Sequence, residues 1–270
     1  MLPTKLWAEM SWRDFAAADM SKVVAVLPVA AIEQHGPHLP VGVDTFINEG
    51  YLARAIERVP NDLPVLFLPI QAIGKSNEHI EYPGTLTFSA ETVTRAWTEI
   101  GDSVARTGCR KLIFMNSHGG NVAVLSAVAR DLRVRHDMLA VQAGWHALGY
   151  PEGLFSTHER AHGIHGGDAE TSLMLAFRPE TVRMSEARDF MSSAVSIEQD
   201  FKKLRVTQPI SIGWMANDLN ELGAVGDASN ATAVKGEASA ECGVHAFLEL
   251  LRDVQAFDLS RLRTGPLRHK

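Results

Sequence analysis

Residues 23–44 read Val-Val-Ala-Val-Leu-Pro-Val-Ala-Ala-Ile-Glu-Gln-His-Gly-Pro-His-Leu-Pro-Val-Gly-Val-Asp. The run Val23–Ala31 is almost continuously apolar, the pattern of a strand buried on both faces. Behind it stand three side chains able to bind a metal, Glu33, His35 and Asp44. Glu33 and His35 are two apart, so an extended backbone projects them to the same side. Gly36, Pro37 and Pro40 break regular structure and turn the chain. Asp44 can then swing back toward the pair. As an isolated trio these residues read equally well as polar loop surface or as the beginning of a divalent-metal site.

Outward from this stretch, strand-like and helix-like segments alternate. Thr45–Val59 is amphipathic and opens on Asp44 or Thr45 as cap. Pro64–Ile70 reads as a second strand. Ala90–Thr107 carries Val93, Trp97, Ile100 and Val104 on one helical stripe and closes at Gly108. Lys111–Asn116 is a third strand, Asn121–Arg135 a helix, Met138–Ala143 a fourth strand and Glu237–Val254 a closing helix. Such alternation, with near-continuous apolar strands, predicts an α/β fold whose parallel sheet is covered by helices. Ligands in such sheets bind at the carboxyl ends of the strands. No linker, repeat or boundary divides residues 1–270, so they read as a single domain. Ser185–Asn220 has no clear pattern.

Composition narrows the function classes. The chain has 270 residues, 46% hydrophobic and 21% charged, enough for a sizeable core. A net charge of −6 without a Lys/Arg block argues against nucleic acid as a partner. No apolar run reaches the roughly 18–20 residues that span a bilayer, so no membrane partner is expected. Met1–Phe15 lacks an apolar signal core, and the two cysteines, Cys109 and Cys242, suggest a reducing compartment. The chain is therefore expected in the cytoplasm.

Two further loops fall at strand ends. Asn116-Ser117-His118-Gly119-Gly120-Asn121 places one histidine ahead of two glycines and a helix start. A phosphate loop is the rival reading, but the Gly-Lys-Ser/Thr ending is missing. His118 suits a metal ligand better, since imidazole binds zinc, manganese and iron alike. The third loop is His162-Gly163-Ile164-His165-Gly166-Gly167-Asp168-Ala169-Glu170-Thr171-Ser172, ahead of the apolar run Leu173–Phe177. Asp168 and Glu170 also fit simple helix-start carboxylates. That reading leaves the histidines and glycines unexplained, and His165 could act as a general acid or base. His38, on the proline turn, reads as a neighbour of the site. Asp44 could bridge two metals, with a hydroxide between them as nucleophile. No Gly-x-Ser-x-Gly elbow or cysteine motif offers another nucleophile.

On these residues the chain resembles the creatininase (creatinine amidohydrolase) family. The matching segments are Leu27–Asp44, Gly74–Leu86, Asn116–Asn121, His165–Ser172 and Gly223–Glu237, in order along nearly the whole chain. The resemblance implies a three-layer α/β/α sandwich with a mostly parallel sheet, a dinuclear metal site, hydrolysis of non-peptide C–N bonds, and a homohexamer. Carried over, Glu33 and His118 resemble ligands of one metal, His35 a ligand of the other, Asp44 the bridging carboxylate and His165 the catalytic histidine. True creatininases carry a glutamate where this chain has Gly120. Relatives with His-Gly-Gly there use the glutamate before Thr-Ser, which gives the role to Glu170 in preference to Asp168. This departure argues against creatinine itself as substrate.

The expectation is therefore a metal-dependent amidohydrolase with two divalent ions (Zn, Mn or Fe). It cleaves a non-peptide, cyclic or open, amide of a small molecule with a metal-bridging hydroxide, and His165 and Glu170 serve catalysis. Ring opening of a cyclic keto-sugar or keto-inositol, or maturation of a precursor peptide, are the alternatives on the same site. Trp145 and Trp214 are candidate pocket walls, though each fits core or interface better.

Overall fold

The computed structural model describes residues 2–207 and 209–266, so Gln208 and the two ends of the 1–270 domain reading lie outside it. Four parallel strands form the central sheet in the order β2-β1-β3-β4. They are β1 (Val24–Val29), β2 (Val65–Phe67), β3 (Lys111–Asn116) and β4 (Leu139–Gly144). Nine α-helices are described: α1 (Trp12–Ala17), α2 (Val43–Arg58), α3 (Ala90–Arg106), α4 (Val122–His136), α5 (Thr157–His162), α6 (Asp168–Phe177), α7 (Ala194–Asp200), α8 (Ala216–Leu219) and α9 (Ala233–Ala256).

Alternation along the strands divides the core in two. Val24 and Val26 of β1, Val65 and Phe67 of β2, and Ile113 and Met115 of β3 face α2, α6 and α9. Ala25, Leu27 and Val29, with Leu66, Leu112 and Phe114, face α3 and α4. Strands β1, β2 and β3 are buried on both faces because each layer of helices presents an apolar stripe to them, whereas the edge strand β4 is only partly buried. The result is the expected three-layer sandwich.

Pro28 lies in the central strand β1, where a proline normally costs a ladder bond. Here its carbonyl accepts from Gln71 N at 2.9 Å, on the side where β2 has already ended at Phe67. The missing N–H therefore falls beyond the end of β2, where pairing continues only as the bridge of Val29 with Gln71.

The register aligns Val29 of β1 with Asn116 of β3, and Asn116 with Gly144 of β4. Residues following these strands consequently share one edge of the sheet. Asn121 laces the loops there: its Nδ2 donates to Ala30 O (3.0 Å) and Asn116 Oδ1 (3.1 Å), and its Oδ1 accepts from Lys75 N (2.9 Å). The 185–220 region folds over the same edge. It contains α7, α8 and a two-residue strand β5 (Asp189–Phe190), antiparallel to β6 (Gly226–Asp227).

Candidate metal centre

The three loops meet. Glu33, His35, Asp44, His118 and His165 are buried within one cluster, and Glu170 faces it with 27% of its side chain exposed. Asp44 arrives there because α2 begins at Val43 rather than Thr45, with Gly42 before it. The residue expected as cap thus lies inside the first turn, turned into the site.

Hydrogen bonds to carbonyls, which only accept, fix which ring nitrogens face inward. His35 Nδ1 donates to Glu33 O at 3.0 Å, so its Nε2 faces Asp44 Oδ1 (3.7 Å) and Glu170 Oε2 (3.8 Å). His118 Nε2 donates to Lys75 O at 2.9 Å, leaving Nδ1 toward Glu33 Oε1 (3.2 Å) and Asp44 Oδ2 (3.3 Å). The two oxygens of Asp44 therefore serve two different histidines. His165 Nε2 donates to Gln34 O at 2.6 Å, and its Nδ1 lies 3.5 Å from Glu33 Oε1. Its ring stacks between those of His35 and His79, at 3.9 Å and 4.3 Å between centroids.

Glu33 Oε1, His35 Nε2 and Asp44 Oδ2 are buried and have no hydrogen-bond partner. Orphaned polar atoms at this depth are costly unless something satisfies them. Ligands held about 2.0–2.2 Å from one ion at tetrahedral angles stand roughly 3.3–3.6 Å apart. His118 stands near that spacing from Glu33 and Asp44, and His35 stands slightly wider from Asp44 and Glu170. Sets drawn from these residues could hold a metal ion, among them Glu33–His35–Asp44 and His35–His165–Glu170.

The electrostatics agree with a centre built for cations. Burial pushes the Asp44 carboxyl up, but the close approach of His118 and His35 outweighs it and holds it at about 2. Burial opposes charge on His118 and His35, yet the carboxylates win: His118 is raised well above its ordinary value and His35 to about 9. His165 goes the other way, held well below its ordinary value by burial and by its histidine neighbours. Burial, with the Asp44 and Glu33 carboxylates, raises Glu170 to about 7 against the pull of His35 and of the Gly166 N–H.

Glu170 and Asp168 are now separable. Glu170 Oε2 faces His35 and accepts from Gly166 N at 2.6 Å, where Gly166 has the left-handed φ of 65° that favours glycine. Asp168 turns away, accepting from Ser172 Oγ (3.0 Å) and Lys235 Nζ (2.5 Å). His38 is also turned away, its Nε2 between Gly166 O (3.0 Å) and Thr171 Oγ1 (2.9 Å). Trp145 is core, stacked on Tyr51 with centroids 4.2 Å apart. Trp214 does line the cavity, with Ile212, Gly213 and Met215.

Several residues of the site lie outside the three loops. Ser76 Oγ donates to Glu33 Oε2. His79 Nδ1 accepts from Gln34 Nε2 at 2.8 Å, which leaves its Nε2–H toward Glu33 Oε1 at 3.4 Å. Glu78 approaches His118 Nε2 at 3.4 Å. All three follow β2, so their placement at a strand end was the available signal. Glu159 is buried beneath the third loop, where its Oε2 accepts from Asp227 N at 3.0 Å. A Cβ at Gly163 or Gly167 would come within 2.3 Å of its carboxylate, which explains two of that loop's glycines.

The family model described as creatinine amidohydrolase (Creatininase) matches residues 8–251. The chain belongs to the creatininase family. Among its relatives is the mycofactocin precursor peptide peptidase of Mycolicibacterium smegmatis, 31% identical over 79% of this chain and 78% of that one. The creatinine amidohydrolase of Pseudomonas putida is 30% identical over 67% and 75%. The 3-dehydro-scyllo-inosose hydrolase of Thermotoga maritima is 27% identical over 90% and 79%. Among solved structures, a Zn-Zn type mutant creatininase superposes with a TM-score of 0.73 at 26% identity, covering 94% of this chain and 99% of the other. The manganese creatininase structure gives 0.74 at 24%, covering 94% and 100%, a likeness of fold. The chain is thus a creatininase-family amidohydrolase, and among its described residues no helix is long and apolar enough to cross a membrane.

Proposed function

We propose that this protein is a dinuclear metal-dependent hydrolase acting on an amide C–N bond of a small molecule. The observation that carries the reading is the convergence of three buried, unpartnered atoms, Glu33 Oε1, His35 Nε2 and Asp44 Oδ2. Glu33 and His118 would hold one divalent ion and His35 and Glu170 the other, with Asp44 giving one oxygen to each. Zinc, manganese and iron all suit such mixed N/O ligands. When bound, the pair supplies an acidified water and Lewis-acid polarisation of the scissile carbonyl.

The remaining chemistry belongs to the chain. Neutral at working pH, His165 accepts at Nδ1 the proton released as water adds to the carbonyl. It then delivers that proton to the departing nitrogen, so that acid and amine are the products. The hydrogen bond to Gln34 O keeps Nδ1, not Nε2, on the working side. Ser76 holds the Glu33 carboxylate in place through Oε2, and the His79 ring stands beside its other oxygen. Backbone N–H groups of Gly119 and Gly120 border the cavity and suit a developing oxyanion. The cavity, about 510 Å³, admits a compact substrate, and Trp214 forms part of its wall.

A second reading, cleavage of a short precursor peptide, is supported by relatives named mycofactocin precursor peptide peptidases at 31–33% identity. A homohexamer in the cytoplasm completes the proposal, the two free cysteines fitting a reducing compartment. The test is hydrolysis by the metal-loaded protein across lactams, formamides, short peptides and keto-inositols. Turnover confined to C–N substrates supports the proposal. Turnover of keto-inositols alone would replace it with ring opening by C–C cleavage.

A further inference from the structure

Glu78 and Gly120 compete for one space. A Cβ built on Gly120 would lie 2.2 Å from Glu78 Oε1, 2.5 Å from His118 Nε2 and 2.6 Å from Lys75 O. Real Cβ atoms do not approach so closely, so position 120 has no room for a side chain while Glu78, His118 and Lys75 are arranged as they are. The Glu78 loop is anchored where it approaches: Lys75 N donates to Asn121 Oδ1 at 2.9 Å and Ser76 N to Thr87 Oγ1 at 2.8 Å. From there the Glu78 carboxylate reaches the outer edge of the His118 ring, 3.4 Å from Nε2, with 15% of its side chain exposed. The inner edge of the same ring presents Nδ1 to Glu33 and Asp44.

Although Glu33, Glu78 and His118 could by proximity hold an ion of their own, Nε2 is already committed as a donor to Lys75 O. Glu78 therefore stands behind the imidazole. A carboxylate there adds to the hold of the Lys75 carbonyl: it orients the ring and makes the inward nitrogen a better electron-pair donor.

We infer that Glu78 is a positioning residue for His118, holding Nδ1 toward Glu33 and Asp44, and that position 120 is glycine because Glu78, the Lys75 carbonyl and the outer edge of His118 together fill its space. The inference rests on the dinuclear reading above. It concerns the Glu33–His118 ion alone and leaves the His35–Glu170 ion untouched.

The test is metal content by mass spectrometry, with a chelator competition giving the affinity of each ion. Wild type retains two ions per chain. Glu78→Gln, close in size but uncharged, weakens one of them about 10–100-fold and leaves the other unchanged. Gly120→Ala, which crowds both the carboxylate and the outer edge of His118, weakens the same ion. A general structural defect would weaken both ions and so would overturn the inference. Wild-type affinity at both ions in Glu78→Gln would overturn it as well while leaving the dinuclear reading intact. Absence of metal from wild type would overturn both.

Discussion

His165 is the residue on which the proton chemistry turns. Its Nδ1 faces the cluster and its Nε2 is committed to Gln34 O. Replacement by alanine lowers turnover roughly 10²–10⁴-fold and leaves both ions in place, as paired kinetics and metal analysis would show. Full turnover would remove His165 from the mechanism. His38 offers a pH test of the scaffold. Burial, with some help from His35 and against the Gly166 carbonyl, lowers its pKa from 6.5 to about 4. The folded state thus resists a proton that the unfolded chain accepts. This stability is fully present above about pH 6.5 and is lost as pH falls toward 4, by about 2–3 kcal/mol. Urea midpoints for wild type and His38→Gln should therefore converge on acidification; parallel trends would refute the assignment. At this scale the sequence was most informative where motifs concentrate chemistry: Glu33, His35, Asp44, His118, His165 and Glu170 do meet. Glu78 and His79 escaped notice as site residues because only the fold carries their loop to the cluster. Asp168 and Glu170 were close rivals in sequence, and only their directions of approach part them.

At the scale of elements, the site depends on how α6 meets α9. A Cβ at Gly236 would lie 1.9 Å from Ser172 O, so the two helices cross backbone against side-chain-free backbone. Ser172 Oγ also accepts from Thr232 N at 3.1 Å, and Asp168 takes Lys235 Nζ. Gly236→Ala must separate the helices. Overpacking of this kind costs about 1–3 kcal/mol, and thermal unfolding should show it. Unchanged stability would mean that the crossing is looser than described. The strands and long helices were legible because apolar runs and 3.6-residue periodicity are local signals. Boundaries were less so: α2 starts at Val43, and α9 at Ala233 where the apolar pattern suggested Glu237. The 185–220 region carries no such signal. Its two-residue strand β5 exists by pairing with β6, far along the chain, and its loop at 212–215 is placed by the cavity it covers.

At the scale of the whole molecule, composition bounded the class and the order of loops along one sheet edge gave the site. Assembly is legible only through the family. Light scattering on the purified chain should report six copies; a monomer would contradict the proposed hexamer. Exposed apolar side chains such as Trp12 at 74%, Met191 at 73% and Val234 at 79% are surfaces whose protection on assembly can be followed by hydrogen exchange of their segments. Ions that bind the folded chain alone also stabilise it by mass action, so chelation should lower its unfolding temperature. The most direct test of the central claim is the ion count itself, taken on purified protein before and after chelation with turnover measured alongside. The account predicts two divalent transition-metal ions per chain, hydrolysis lost with them and recovered on their return. A folded, active protein without bound metal would contradict it.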